Sequence, residues 1–352
     1  MIPYDPFDWY WIVGGGGGGG GGTYYQTVKD NGSAQTQRSA LNLIGGTDIT
    51  LTITDDGAND ETDVTIAFSG SGSGSSPYSL CQGRLTLTTG VPVTTSDVTA
   101  ATTLYFTPYK GNQIGLYNGS AWSMFAFSEI SLSLAGYTAS KPYDIWVYDN
   151  SGTVTLDSTV WTDATTRATA LALQDGIYVK SGDATRRYLG TIYITSAGGV
   201  TEDSVTKRYV WNHYNQEPRL LKKSISTSSW TYTTNTFRQC NNDTANQVES
   251  VIGLVTQLSL TFSITSESRG DTTSTAAIGI DRTNASDSIT SRDTYAYSTI
   301  TNWERLHVSA YMGFPAAGYH YFACIERAAG SACTWYGTNG NRLSALYGSV
   351  MG

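Results

Sequence analysis

Charge, helix-forming residues and long apolar runs are all scarce in this 352-residue chain, and each shortage removes a class of function. Charged side chains make up 14% of the residues. The densest basic group is Arg219 with Lys222 and Lys223, beside a linker-like segment at 216–218, and so small a cluster reads as solvated loop charge. A nucleic-acid partner would need a clustered Lys/Arg footprint against phosphate, so none is expected. The net charge of −8 bears mainly on solubility. No stretch approaches the ~20 apolar residues of a membrane helix, so membrane insertion is not expected. The first eight residues, MIPYDPFD, lack the basic start and continuous apolar core of a secretion signal. The expectation is a protein assembled in the cytoplasm.

Chemistry-bearing motifs are equally sparse. Three histidines, His213, His307 and His320, are too scattered for a metal motif, and neither HExxH, GxSxG nor a P-loop occurs. His213, among Trp211, Asn212, Tyr214 and Asn215, reads as a packed junction residue. The acidic stretch Asp55, Asp56, Asn59, Asp60 and Asp63 lacks the alternating calcium-loop pattern and reads as turn chemistry. A glycan depolymerase would need two carboxylates about 5–10 Å apart in a cleft. Asp271, Asp281, Asp287, Asp293 and Glu304 supply candidates, but no solenoid period accompanies them. No enzyme activity, cofactor or metal is expected. Of four cysteines, Cys81, Cys240, Cys324 and Cys333, the last two mirror each other about a turn at 327–330. That spacing leaves open a disulfide or two buried small hydrophobes.

Thr, Ser, Gly and Tyr dominate instead, with 38 Gly and 24 Tyr. Such a composition favours pleated, half-buried surfaces and tight turns, so the fold is expected to be mainly β. Residues 1–22 form an extended anchor arm. Tyr4, Phe7, Trp9, Tyr10 and Trp11 offer large contact area at low entropic cost, and the glycine run at 14–22 is expected to lie as a strap on a partner. Residues 23–76 hold one β-hairpin module. Ile49, Leu51 and Ile53 alternate with threonines, and Val64, Ile66 and Phe68 alternate likewise. Folding about 56–61 pairs 53 with 64, 51 with 66 and 49 with 68, which puts all six apolar side chains on one face. An isolated hairpin is marginal in water, so this face needs a cover, and copies of itself about a rotation axis would provide one.

Residues 77–218 read as a middle β-rich domain with turns at Asn118-Gly119 and Asn150-Ser151-Gly152. One helix is expected there, capped by Thr162 or Asp163, running 164–173 and ended by Gly176. Residues 219–352 read as a C-terminal β-sandwich or jelly-roll-like domain, with short strands spaced by Gly, Asn and Ser turns.

The segment NLIGGTDITLTITDDGANDETDVTI resembles a short β module recurring in bacteriophage fibre proteins. YDIWVYDNSG, LALQDGIYVKSG, ATRRYLGTIYIT and KRYVWNHYN resemble another phage structural segment. Together they cover about a third of the chain. The resemblance implies an elongated homotrimeric fibre or spike with small intertwined β modules, a head (vertex) fibre or tail fibre, at the virion surface. Its N-terminus would sit on capsid, portal or tail proteins. The distal C-terminal domain would contact a host glycan or outer-membrane protein, with Trp303, Tyr311, Tyr319, Trp335 and Tyr336 as candidate receptor-binding residues. A purely structural capsid decoration or vertex protein is the alternative, and a depolymerase spike a third.

Overall fold

The structure, a computed structural model, describes residues 29–30, 33–34, 49–56, 61–68, 77–269, 273–288, 290–297, 302–329, 332–338 and 342–352. The anchor residues Tyr4, Phe7, Trp9, Tyr10 and Trp11 and the glycine run lie outside them. Two compact units divide the chain, Met1–Gly74 and Ser75–Gly352. Both are β-built; the described residues include two single-turn 3-10 segments and no α-helix. The first unit contains the pairs Lys29–Asp30 with Ser33–Ala34 and Ile49–Asp56 with Glu61–Phe68.

Among the described residues of the second unit, four larger sheets and the two-stranded pair Gln113–Tyr117 with Trp122–Ala126 bury four clusters of apolar residues. The first sheet orders Ile130–Ser133, Thr103–Pro108 and Gly83–Thr86. The second runs Thr153–Val160, Lys141–Asn150, Asp183–Ile194, Ile177–Lys180, Leu171–Gln174, with Val210–Asn212 also on Asp183–Ile194. Alternation along its strands divides their side chains between two cores. Ile145, Leu189 and Ile192 join Leu85, Phe106 and Ile114 on one side, while Trp146, Tyr188 and Tyr193 join Tyr209, Trp211 and Val251 on the other. Tight turns follow the residues that tolerate left-handed backbone. Ser151 (φ 53°) and Gly152 (φ 90°) close the 141–160 hairpin, as Gly119 (φ 98°) helps close that at 113–126.

The third sheet crosses the expected boundary at 218/219. It runs Arg238–Gln239, Gly318–Ala329, Gln247–Ile252, Lys207–Arg208, Thr201–Asp203, Val98–Ala101, with Thr273–Ile280 also on Gly318–Ala329. A parallel pair joins the two halves, Lys207 opposite Glu249 and Arg208 opposite Ser250. Residues 77–218 and 219–352 therefore fold as one body. The fourth, terminal sheet orders Pro218–Ser224, Ala345–Met351, Leu258–Arg269, Asn302–Gly313 and Thr290–Tyr297. Cys333–Tyr336 also pairs with Leu258–Arg269, and Ser229–Tyr232 with Cys333–Tyr336. Its inner face packs Leu260, Phe262, Ile264, Trp335 and Leu346 against Ile278 and Phe322 of the third sheet.

Three local expectations are corrected. Residues 164–173 are not helical. The Asp163 carboxylate does accept the N–H groups of Thr165 (2.9 Å) and Thr166 (2.8 Å), as a cap would. The chain then turns back, with Thr162 N–H on the Thr166 carbonyl at 2.9 Å. Neighbouring β-branched threonines disfavour the next turn. Leu171–Gln174 pairs instead with Ile177–Lys180, and Asp175 (φ 51°) with Gly176 (φ 82°) makes their hairpin turn. Cys324 and Cys333 do not face each other. Cys324 lies opposite Ile278 and Cys333 opposite Tyr232 and Ser268, because Cys333–Tyr336 leaves its sequence neighbour for another sheet. All four cysteines are free and buried. Finally, Arg219 is not loop charge. It is buried, and its Nη2 lies 2.8 Å from Asp203 Oδ2.

That contact is the centre of a junction. Asp203 Oδ1 also receives Arg208 Nη1 at 2.8 Å, and Thr94 Oγ1 donates to Oδ2 at 3.1 Å. Arg219 Nη1 reaches the Thr94 carbonyl and Arg208 Nε the Leu220 carbonyl. One carboxylate thus serves two buried guanidinium groups from two sheets. Removing one partner of a buried pair costs about 3–5 kcal/mol, because the remaining charge is left uncompensated. Asp203→Asn should lower the urea midpoint of the Ser75–Gly352 unit by a stability equivalent of about 3 kcal/mol or more. A change below about 1 kcal/mol, the size of an exposed pair, would show that the junction does not depend on this charge.

Candidate functional site

The hairpin forms in the register its alternation dictates: Ile49 opposite Phe68, Leu51 opposite Ile66, Ile53 opposite Val64, closing at Asp56 opposite Glu61. Of Ile49 and Phe68 only this backbone pairing is described. Leu51 is half-buried, while Ile53 and Ile66 are each 57% exposed and Val64 42%. Thr52, Thr54 and Thr65 alternate on the opposite face. The two faces thus differ in kind: one is hydroxyl-bearing, the other a row of open branched aliphatic side chains.

The candidate receptor residues are not brought together at a surface. Trp335 is fully buried in the core between the third and terminal sheets, and is withdrawn from any binding face. Tyr319 stacks on Tyr193 at 4.4 Å and donates its hydroxyl to Glu249 at 2.8 Å, so it too packs inward. Tyr311 leans on the same core as Trp335, 6.3 Å from Phe322. Tyr336 is half-buried, its hydroxyl on Glu267 (2.7 Å) and its ring under Arg342 (3.9 Å). Trp303 lies opposite Ser268 in Asn302–Gly313, and its side chain is outside the described residues.

Residues that could do chemistry are committed elsewhere. His307 Nε2 sits 2.8 Å from Ser266 Oγ and 3.3 Å from Ser274 Oγ, but ring and hydroxyls are wholly buried, so no substrate reaches them. His320 is held between Asp281 Oδ2 (2.7 Å) and the Ala316 carbonyl (2.8 Å). Burial opposes its protonation, yet these two acceptors outweigh it and raise its pKa. Of the carboxylates considered for glycan cleavage, Asp281 holds His320, Asp287 holds Arg282, and Glu304 holds Arg342 at 3.0 Å, while Asp271 and the Asp293 side chain lie outside the described residues. Among the described residues no group of three His, Cys, Asp or Glu is placed to hold a metal ion, and no helix is long and apolar enough to cross a membrane. A shallow depression of about 380 Å³ is lined by Trp161, Thr165, Arg167, Leu171, Leu254 and Ala317. Arg167 stacks on Trp161 and points its guanidinium at the buried Asp144, contacting also the Gly253 carbonyl. Burial pushes the Asp144 carboxyl upward against the pull of Arg167. Of this pair only Arg167 lines the depression, whose lining residues include no carboxylate.

The exposed large apolar side chains that composition did not single out are more informative. Leu220, Leu306, Met312 and Tyr347 are all open, and all stand on the outer face of the terminal sheet. The alternation RLHVSAYM signals them, but alternation alone does not say which set faces the core. Comparisons with protein families, characterised proteins and solved structures find no match to this chain.

His213 gives the site region a measurable pH signature. Its ring lies 4.6–6.2 Å from those of Tyr214, Tyr178, Tyr188 and Trp211. Burial, with Arg187 as the second cause, holds its pKa down to about 4. The unfolded imidazole titrates near ~6.5, so the unfolded chain takes up the proton first. The stability contributed by a neutral His213 is full above that value and is lost as pH falls towards about 4. His213→Phe should shrink the stability lost between pH 7 and 5 by about 1 kcal/mol, allowing for screening at a half-buried ring. Equal losses in variant and parent, by urea denaturation at both pH values, would refute the assignment.

Proposed function

We propose that this chain is a bacteriophage virion structural protein, the subunit of a homotrimeric fibre or spike at the virion surface. In this reading residues 1–22 hold capsid, portal or tail proteins, and the C-terminal region faces the host. The observation that carries it is the hairpin's open apolar face, Leu51, Ile53, Val64 and Ile66 on a two-stranded sheet. Two strands alone are marginal in water, and copies packed about a rotation axis cover such a face without a further partner. The phage-like segments at 41–68 and 143–210, and the aromatic N-terminal peptide ahead of a glycine run, make a virion the setting. Asp281, Asp287 and Glu304 are engaged by His320, Arg282 and Arg342, so none of these three lends support to a depolymerase.

A second reading, capsid decoration without host contact, draws on a specific observation. Trp335 and Tyr319 face inward, which weakens the case for a glycan-stacking or protein-binding patch in the C-terminal region.

The full chain should sediment as a trimer, and Ile53→Glu with Ile66→Glu should lower its mass. A parent chain that stays monomeric across micromolar concentrations would overturn the reading. Added soluble protein should compete with phage adsorption if the C-terminal region contacts the host. Unchanged adsorption at saturating protein would favour decoration. Truncation after 218 is unsuited to this question, because the third sheet spans that point.

A further inference from the structure

His320 is buried on strand Gly318–Ala329 of the third sheet, with an acceptor at each ring nitrogen. Nδ1 lies 2.7 Å from Asp281 Oδ2, and Nε2 lies 2.8 Å from the Ala316 carbonyl oxygen. Neither a carboxylate nor a backbone carbonyl has a proton to give. A neutral imidazole carries a single N–H, so it satisfies one of the two and turns a lone pair on the other. Both contacts are hydrogen bonds only when the ring is an imidazolium.

The two acceptors belong to different parts of the fold. Asp281 follows strand Thr273–Ile280 and is fixed there. Its Oδ1 accepts the Tyr321 N–H and its own N–H donates to the Tyr321 carbonyl, both at 3.0 Å. Ala316 lies in 314–317, the loop by which the chain passes from the terminal sheet to the third. Among the described residues no other hydrogen bond holds 314–317. Phe314 is exposed. Ala317 lines the depression with Trp161 and Thr165, and Gly318 backs onto Thr165, whose Cα would lie 3.1 Å from an added Cβ. His320 is thus the polar tether of a loop that otherwise rests on packing.

Few other groups bear on the ring. Ser250 stands opposite it on strand Gln247–Ile252, while the neighbouring Glu249 is taken by Tyr209 and Tyr319. Strand Thr273–Ile280 brings Ile280 opposite Phe322, and the Tyr311 ring of the terminal sheet lies 6.3 Å from Phe322. Beyond Asp281, Arg282 is engaged by Asp287. Loop 314–317 carries no ionisable side chain. Asp281 is the charge that acts on the ring.

We infer that His320 is a proton-operated clamp, which fastens loop 314–317 to Asp281 while charged and frees the loop when it loses a proton. The proton that leaves goes from Nε2 to solvent, because the carboxylate at Nδ1 is the stronger acceptor. The Nε2 lone pair then faces the Ala316 carbonyl oxygen, and both are left unsatisfied at a buried contact. Moving the loop returns that carbonyl to water and removes the wall that Ala317 gives the depression. The folded ring titrates above the unfolded value of ~6.5, since its two acceptors outweigh burial. The clamp's stabilisation is therefore whole below that value and is lost as pH rises through the folded one. His213 acts in the opposite sense.

The test is hydrogen exchange read by mass spectrometry on the full chain across ~pH 5–10. The His320 Cε1–H reports the protonation of the ring. The backbone amides of 314 and 316–318, corrected for the intrinsic rise of exchange with pH, report the loop. His320 should titrate above ~6.5, and loop protection should fall several-fold in step with it. The amides of strand Lys141–Asn150 should keep theirs. Asp281→Asn should move both transitions together to lower pH. A His320 that titrates at or below ~6.5, or a loop whose protection does not follow it, would overturn the clamp. Both readings are made on the parent chain, so misfolding of the variant would not rescue the inference.

Discussion

One carboxylate, Asp203, holds two arginines that belong to different sheets, and the large unit is organised around that constraint. Arg208 comes from the third sheet and Arg219 from the edge of the terminal sheet. Burying two arginines side by side is costly unless their charge is compensated, since an isolated buried ion costs several kcal/mol, and here one carboxylate serves both. The carboxylate must therefore be where both can reach it, which places the 201–203 and 207–208 strands against 218–224. Thr94 joins through its hydroxyl and carbonyl. Arg84 extends the junction by donating to the carbonyl oxygens of Pro92, Asn215 and Gly352. The last strand is thereby tied to the first sheet. What looks from composition like two domains becomes one body because its charges are shared across the seam.

Other buried polar groups act in the same way on neighbouring seams. Glu249, on the third sheet, accepts hydroxyls from Tyr209 and Tyr319 within the aromatic core shared with the second sheet. Glu326, fully buried, holds Trp230 Nε1 (2.7 Å), Arg238 Nε (2.9 Å) and the Asn241 N–H (3.2 Å). Arg187 is caged by the carbonyl oxygens of Tyr78, Ser79, Leu80 and Gly115. Apolar burial alone does not oppose a slip of two residues along a strand, because the same face stays inward. A slip at Asp203 or Glu326 would strand a buried charge. In a chain so rich in interchangeable Thr and Ser, these few ions supply the register that side-chain shape does not.

This division explains which features could be read from sequence. The 49–68 hairpin was legible because its information is local: period-2 alternation, a polar turn and one register that puts every aliphatic on one side. The turns at Asn118-Gly119 and Ser151-Gly152 were legible for the same reason. The 164–173 segment misled because Asp163 makes the hydrogen bonds of a helix cap whether or not a helix follows. Arg219 misled because its partner lies sixteen residues back and its sequence neighbours, Lys222 and Lys223, are ordinary surface. The parallel pairing of 207–208 with 249–250 leaves no local trace. The aromatic residues proposed for binding were counted without knowing strand polarity, and Trp335 fell on the inner side.

Strand 302–313 carries that last point further. Its sequence alternates perfectly well, but with the polar set inward, where His307 finds Ser266 and Ser274 and Ser309 donates to the Ala276 carbonyl. Each inward polar group has been given a partner, so the inversion is built into the core. Those polar positions give up the hydrophobic contribution that Leu or Val would make there, about 25 cal/mol for each Å² of apolar surface withheld from water. The same strand carries Leu306 and Met312 outward, where both are largely exposed. The hairpin at 49–68 shows the same one-sided arrangement on a smaller scale. In both places strict alternation decides the exposure, because a strand that turns one set of side chains to one side must turn the other set away from it.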